Sequence, residues 1–111
     1  MQHEKLICYQ SLLGITQEVG QFLKTWPRGH NHIADQLKRA LSSAILNLAE
    51  GNGKRDSAKE RRRFFQISMG SIAESCACLD LVEIFKLIPS TKIQTWKSGL
   101  KKACNQIGRL P

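Results

Sequence analysis

The sequence has few prolines, few aromatic residues and no long hydrophobic run. Three prolines occur in 111 residues, and no apolar stretch approaches the ~20 residues that a membrane-spanning helix requires. The segment Met1–Lys5 also lacks the basic-then-apolar pattern of a signal peptide. These absences predict a cytoplasmic protein without a membrane segment, in which the four cysteines stay reduced and fill small spaces in the core.

The residue sets that carry catalysis or metal binding are also missing. Only three histidines are present, and they form no arrangement with a nucleophile and an acid. Cys76 and Cys78 are two residues apart on a predicted helix and therefore point to nearly opposite sides, which prevents them from holding one metal. We therefore expect no metal, no cofactor and no enzymatic activity.

What the sequence does contain is helix-forming residues in a regular pattern. Leucine, alanine, lysine and glutamine are abundant, and the length fits one domain over residues 1–111. A chain of this size buries roughly two-thirds of its unfolded surface, so it can hold a core without disulfides or metal.

Apolar residues recur at spacings of three and four in four stretches, which is typical of helices with one buried side. The stretches cover about residues 4–24, a second from Asn31 to Gly51 or Gly53, a third from Ser57, and a fourth after Pro89. In the fourth, the spacing holds throughout at Ile93, Trp96, Leu100, Ala103, Ile107 and Leu110. We predict an all-α fold, an antiparallel up-down-up-down four-helix bundle.

The third helix has the clearest beginning. Ser57 and Glu60 have the spacing of a capping box, whereas Asn31 and Ser90 are plausible caps of the second and fourth helices. Small residues in the third helix allow another helix to approach closely; they are Gly70, Ser71, Ala73, Ser75 and Ala77. A second apolar set, formed by Leu81, Phe85 and Ile88, is expected to continue the core toward Pro89.

The positive charge is concentrated at the start of the third helix. The net charge is +8 with a pI of about 9.7, and ten positions hold six of the seventeen cations. These six are Lys54, Arg55, Lys59, Arg61, Arg62 and Arg63. Such a run can bind phosphates by releasing counterions, or it can be a solvated helix start with local ion pairs.

Helical geometry divides this basic run. Residues 61, 62 and 63 are about 100° apart around the helix, so their side chains cannot all face one ligand. Arg62 lies three residues before Phe65, on the line predicted to face inward, and we expect it to snorkel or pair there. The predicted nucleic-acid contacts are therefore Lys54, Arg55, Lys59 and Arg61.

Four further charged residues balance in sign. Arg39, Glu50, Arg63 and Glu74 comprise two cations and two anions on predicted neighbouring helices. The two carboxylates suggest acid–base catalysis, but a balanced set more simply predicts ion pairs between helices, which fix their register. In that structural network Ser43 and Asn47 fill the remaining hydrogen bonds.

These residues together resemble a bacterial family of four-helix-bundle proteins encoded in intervening sequences of large-subunit ribosomal RNA genes. Its relatives include the accessory variability protein of diversity-generating retroelements. The family pattern matches Arg39-Ala40, Ser43, Asn47-Leu48-Ala49-Glu50-Gly51, Arg63-Phe64-Phe65 and Gly70-Ser71-Ile72-Ala73-Glu74. Arg61 and Arg62 stand where relatives often carry apolar residues, so this turn is more basic than the family pattern.

The resemblance implies a homo-oligomer, since ring-shaped pentamers are known among relatives. It also implies binding of RNA or DNA, or of a reverse transcriptase, as in the retroelement branch. Two functions follow as hypotheses. The first is a non-enzymatic oligomeric module that binds nucleic acid or a nucleoprotein partner through basic surfaces; the second is a protein-only scaffold whose charge is incidental.

Overall fold

The computed structural model describes residues 1–111 and contains four α-helices and no strand. The helices are α1 (Ile7–Leu23), α2 (Asn31–Asn52), α3 (Ala58–Ile84) and α4 (Ser90–Gly108), and a short 3-10 helix at Gln2–Lys5 precedes them. They form an elongated body of 46 × 22 × 21 Å. The predicted all-α fold of four helices is confirmed. None of the helices combines the length and apolarity needed to cross a lipid bilayer.

The core lies along the stripes that the spacing predicts. In α4, residues 93, 96, 100, 103 and 107 are all buried. Trp96 is the largest buried side chain at 1 % exposure; its indole N–H donates to Glu18 Oε1 at 3.0 Å, and its ring meets Phe22 edge-on at 5.6 Å. The indole N–H of Trp96 therefore has a hydrogen-bond partner, while the ring packs against α1.

The predicted helix caps have different outcomes. The backbone N–H of Glu60 donates to Ser57 Oγ at 3.2 Å, which confirms Ser57 as the cap of α3. The other two cap predictions were wrong, because Asn31 and Ser90 are the first helical residues and His30 and Pro89 take the cap positions. The Ser90 hydroxyl instead donates to the Glu83 carboxylate, so it ties the end of α3 to the start of α4.

Small hydroxyl residues allow close packing between α2 and α3. The Ser68 hydroxyl donates to the carbonyl of Ala44 at 2.6 Å, and the hydroxyls of Ser43 and Ser71 lie 2.7 Å apart. Hydrogen bonds between the two helices join lower residue numbers of α2 to higher numbers of α3, from Gln36 with Glu74 to Ala44 with Ser68. The complete up-down-up-down order of the bundle stays a prediction.

The predicted apolar extension of α3 is partly wrong. Leu81 and Phe85 are 45 % and 50 % exposed, whereas Ile88 is buried. The reason is that α3 ends at Ile84 and the chain then reverses through Lys86, which has a φ of 56°. This reversal returns Ile88 to the core, whereas Leu81 lies within α3, on the outer side of the helix.

Candidate nucleic-acid interface at the charged end of the bundle

Both chain termini meet the connection between α2 and α3 at one end of the bundle. The Arg55 guanidinium donates to the side-chain oxygen of Gln2, and Arg61 Nε donates to the carbonyl of Pro111 at 2.7 Å. We call this region the basic end and define it by the six cations between residues 54 and 63. Its acidic residues are Glu50, Asp56 and Glu60.

Arg61 is the anchor of the basic end and is half-buried. Its Nη1 donates to the carbonyls of Gly51 and Asn52 at 3.2 and 3.0 Å, and its Nη2 donates to Asn52 Oδ1 at 3.3 Å. These are carbonyls from the last turn of α2, which have no partner within the helix. Since every nitrogen of its guanidinium is engaged by the chain, Arg61 is a cap of α2 and is poorly placed as the phosphate contact that the sequence predicted.

A glycine permits this approach of α2 to α3. A Cβ added at Gly51 would lie 2.8 Å from two ring carbons of Phe65 and 3.0 Å from Cβ of Phe64. The Arg61 guanidinium covers the Phe65 ring at 5.0 Å from its centroid. A side chain larger than that of glycine at position 51 would therefore push α2 away from α3.

Two other cations are partly neutralised. Lys54 pairs with Glu50 at 3.2 Å and Arg63 pairs with Glu60 at 3.2 Å. Both cations also lie near the half-buried ring of Phe64, at 5.6 and 5.2 Å from its centroid. These exposed pairs are weak, on the order of 0–1 kcal/mol each, so they reduce the local charge without fixing the side chains firmly.

The remaining cations of the basic end are available to a ligand. Lys59 and Arg62 are exposed and have no hydrogen bond or ion pair, and Arg55 contacts only Gln2. The prediction that Arg62 faces inward was wrong, because Arg61, four residues before Phe65, takes that place. Sequence reasoning therefore exchanged the roles of two neighbouring arginines.

The predicted ion pairs between helices are also absent from the single chain. Arg39 has no ion-pair partner, Glu50 and Arg63 pair locally as described above, and Glu74 accepts a hydrogen bond from Gln36. All four charged motif residues are exposed. Their positions on the outer side of α2 and α3 keep them apart.

The uncharged motif residues do connect the two helices. Asn47 Nδ2 donates to the carbonyl of Ser43 at 2.8 Å and to its hydroxyl at 3.1 Å. That hydroxyl in turn contacts Ser71, which is buried. Gly70 is exposed, and a Cβ there would meet no atom within 4 Å. The hydrogen-bond part of the predicted network is therefore present, without its charges.

An exposed surface with apolar residues runs along α2 and α3, and sequence reasoning missed it. Leu46 is 67 % exposed, Ile67 39 % and Ile84 69 %. The signal was available, because on α3 these side chains belong to a second stripe at spacings of three and four. We call this surface the α2–α3 face; it comprises Arg39 and Leu46 of α2 with Ile67, Gly70, Glu74, Ala77, Leu81 and Ile84 of α3.

Cysteine and metal chemistry add nothing to this site. The chain contains no group of three or more histidine, cysteine or acidic side chains that could hold a metal ion. All four cysteines are free thiols. Burial raises the pKa of each thiol above its ordinary value, which disfavours the reactive thiolate.

The fold and this end of the molecule define a small all-α module with a basic end and an exposed helical face. Within that class, residues 4–109 match the family model described as 23S rRNA-intervening sequence protein. The chain belongs to this family, as its motif residues predicted. A comparison with curated proteins found no matching relative.

Proposed function

We propose that this protein is a non-enzymatic, self-associating module of the cytoplasm that binds RNA or DNA, alone or in a nucleoprotein such as a reverse-transcriptase complex. The observation that carries the nucleic-acid half is the pair of unpartnered cations, Lys59 and Arg62, on the exposed side of the start of α3. Arg55 and the weakly paired Lys54 extend the same region. Each phosphate neutralised there releases counterions, so binding is sequence-tolerant and depends on salt.

A titration tests the nucleic-acid half. Purified protein is titrated with single-stranded and double-stranded RNA and DNA at several salt concentrations. We expect binding at low salt that weakens steadily as salt rises. Absence of binding to all four probes at low salt would discard this half of the proposal.

The α2–α3 face supports the self-association half. Copies of a protein with net charge +8 repel one another, and the repulsion is smallest where the two signs balance. On this face one cation, Arg39, stands with one anion, Glu74, beside exposed Leu46 and Ile84. Gly70 and Ala77 let a second helix approach closely. The family resemblance suggests five copies, and a ring would repeat the basic end and add avidity.

A matched pair of variants tests the surface used for self-association. Ile84 and Ile7 are 69 % and 72 % exposed, so neither is needed by the core, but only Ile84 lies on the α2–α3 face. We expect Ile84→Glu to reduce the mass of the particle in analytical ultracentrifugation and Ile7→Glu to leave it unchanged. Equal masses for both variants and the wild type would remove this face from the interface.

The second candidate is a protein-only scaffold. The local pairing of Lys54 and Arg63 with acids favours it, because those cations then serve the folded chain. Nuclease treatment distinguishes the two functions. Capture of a defined protein partner that survives nuclease, without binding to any nucleic-acid probe, would favour the scaffold.

A further inference from the structure

A groove between α1 and α2 lies apart from both surfaces described above. Its volume is about 360 Å³, which falls within the roughly 300–1,000 Å³ that small-molecule sites occupy. The buried side chains of Val19 and Leu41 line it, together with half-buried Leu23. Gly20 leaves it open, since a Cβ at that position would meet no atom within 4 Å. The groove therefore offers an apolar wall with free space beside it.

A hydroxyl lines this groove without a partner inside the protein. Thr16 Oγ1 is buried and makes no hydrogen bond. A helical threonine can satisfy its hydroxyl by donating to a carbonyl of the preceding turn, but this one does not. Leaving a buried polar group unpaired costs about 1–3 kcal/mol, so a rotation about χ1 that turned Oγ1 into the groove, toward an acceptor supplied from outside the chain, would be favourable.

Two lysines add positive charge at the groove. Lys24 of α1 and Lys38 of α2 both line it and both are exposed. Neither forms an ion pair; Asp35, one turn before Lys38 on α2, is not within ion-pair distance of it. The groove thus combines an apolar interior with two free ammonium groups, and it has no acidic lining residue.

We propose that this groove binds a small amphipathic anion, namely a molecule with a short apolar body and one carboxylate or a similar anionic group. The apolar body lies on Val19 and Leu41 in the space beside Gly20. The anionic group faces Lys24 and Lys38, and the Thr16 hydroxyl donates to a polar atom of the ligand after a rotation about χ1 that turns it into the groove. Charge complementarity selects an anion over a neutral apolar molecule, and the limited volume selects a small molecule over a helix of a partner.

The test uses octanoate as the probe, with octanol and acetate as comparison molecules, and records two-dimensional amide NMR spectra of the full chain. We expect octanoate to shift the amide signals of Gly20, Leu23 and Leu41 with millimolar affinity, as suits so few atoms. Octanol should bind more weakly because it lacks the charge, and acetate because it lacks the apolar body. No shift of these signals by octanoate would overturn the proposal.

Filling the groove supplies the decisive variant. Gly20→Leu adds a side chain into the open space, and Gly14→Leu is its control, because a Cβ at Gly14 also meets no atom and Gly14 does not line the groove. We expect octanoate to bind at least ~10-fold more weakly to Gly20→Leu, because a misfit of a single methylene group in an apolar pocket already has an effect of that size. Gly14→Leu should bind octanoate as the wild type does. Equal binding by both variants would show that octanoate contacts the surface elsewhere.

The lysines give a test that does not depend on packing. Replacing both, as Lys24→Gln with Lys38→Gln, should weaken octanoate binding several-fold and leave octanol binding unchanged. An equal loss for octanol and octanoate would contradict the assigned role of the charges. If Gly20→Leu lowers the mass of the particle instead of octanoate affinity, the groove is a contact between copies of the chain and the proposal is wrong.

Discussion

The basic end and the α2–α3 face are built on the same two helices, yet they use charge in opposite ways. At the basic end six cations meet three acids, and the structure divides the cations into one anchor, two weakly paired side chains and three available ones. On the α2–α3 face the signs balance around exposed leucine and isoleucine. The two helices that carry the family motif therefore present two surfaces, one suited to a polyanion and one to a second protein.

The largest expected effect concerns the two neighbouring arginines at the basic end. Arg61→Ala removes four hydrogen bonds to the ends of α2 and of the chain, so we expect a loss of roughly 2 kcal/mol in the free energy of unfolding, after a discount for partial exposure. Arg62→Ala is the matched control and should stay within about 0.5 kcal/mol of wild type. Urea unfolding measures both, and equal losses would contradict the assignment of Arg61 as the anchor.

The next effect concerns the packing beneath that anchor. Gly51→Ala places a methyl 2.8 Å from the Phe65 ring, and overpacking of this kind costs about 1–3 kcal/mol, offset by up to ~1 kcal/mol from helix propensity. Gly14→Ala has the propensity gain without the clash, so it should raise the melting temperature while Gly51→Ala lowers it. Thermal unfolding decides; a stabilised Gly51→Ala would show that α2 does not depend on this close approach.

A third prediction separates free from engaged charge. The affinity for RNA falls as salt rises, and the double variant Lys59→Gln with Arg62→Gln should make this fall less steep. The magnitude of the slope of log affinity against log salt should decrease by about 1.4–1.8, because each lost phosphate contact removes about 0.7–0.9. The control, Lys24→Gln with Lys38→Gln, removes the same net charge from the α1–α2 groove and should leave the slope nearly unchanged. If the two double variants behave alike, binding follows net charge and not the basic end.

The smallest expected effect concerns the pH dependence of stability at the opposite end of the bundle, where α3 connects to α4. This end belongs to neither surface and serves as a reference for both. Hydrogen bonds from Ser90 and Gln94 lower the pKa of Glu83. A carboxylate with a lowered folded pKa contributes stability that is present above its unfolded value of about 4.3 and is lost as the pH falls through the folded pKa. We expect faster amide exchange at the start of α4 below about pH 4, and Glu83→Gln should remove this pH dependence. A pH profile unchanged by Glu83→Gln would assign the effect to another group.

The parts of this structure that sequence predicted are those that local rules determine. The buried stripe of α4 follows from the spacing of its apolar residues alone. The cap at Ser57 involves only Ser57 and the backbone of Glu60, which are near neighbours in the sequence. Arg61 and Arg62 were exchanged because both fall near the inward line that leads to Phe65. What selects Arg61 is the pair of carbonyls of Gly51 and Asn52 at the end of α2, which only the folded chain brings within reach.

The exposed side of α3 was missed for a related reason. Leu81 and Ile84 lie on a helical apolar pattern, and such a pattern does not say whether the chain itself or another molecule covers it. The reversal at Lys86, with its positive φ, turns Ile88 inward, whereas Leu81 lies within α3 on its outer side. The same ambiguity applies to the charged motif residues. Two cations and two anions can form ion pairs within one chain or between two chains, and the sequence does not distinguish these cases.

The solution mass of the purified particle at low and high salt, with its ultraviolet absorbance read for bound nucleic acid, tests the roles of both surfaces most directly. Because the α2–α3 face is apolar and balanced in charge, we predict that the protein part of the mass, after subtraction of any bound nucleic acid, is the same multiple of 12.5 kDa at both salt concentrations. Because the basic end binds through phosphates, we predict nucleic-acid absorbance at low salt that disappears at high salt. A monomer free of nucleic acid under both conditions would contradict the account.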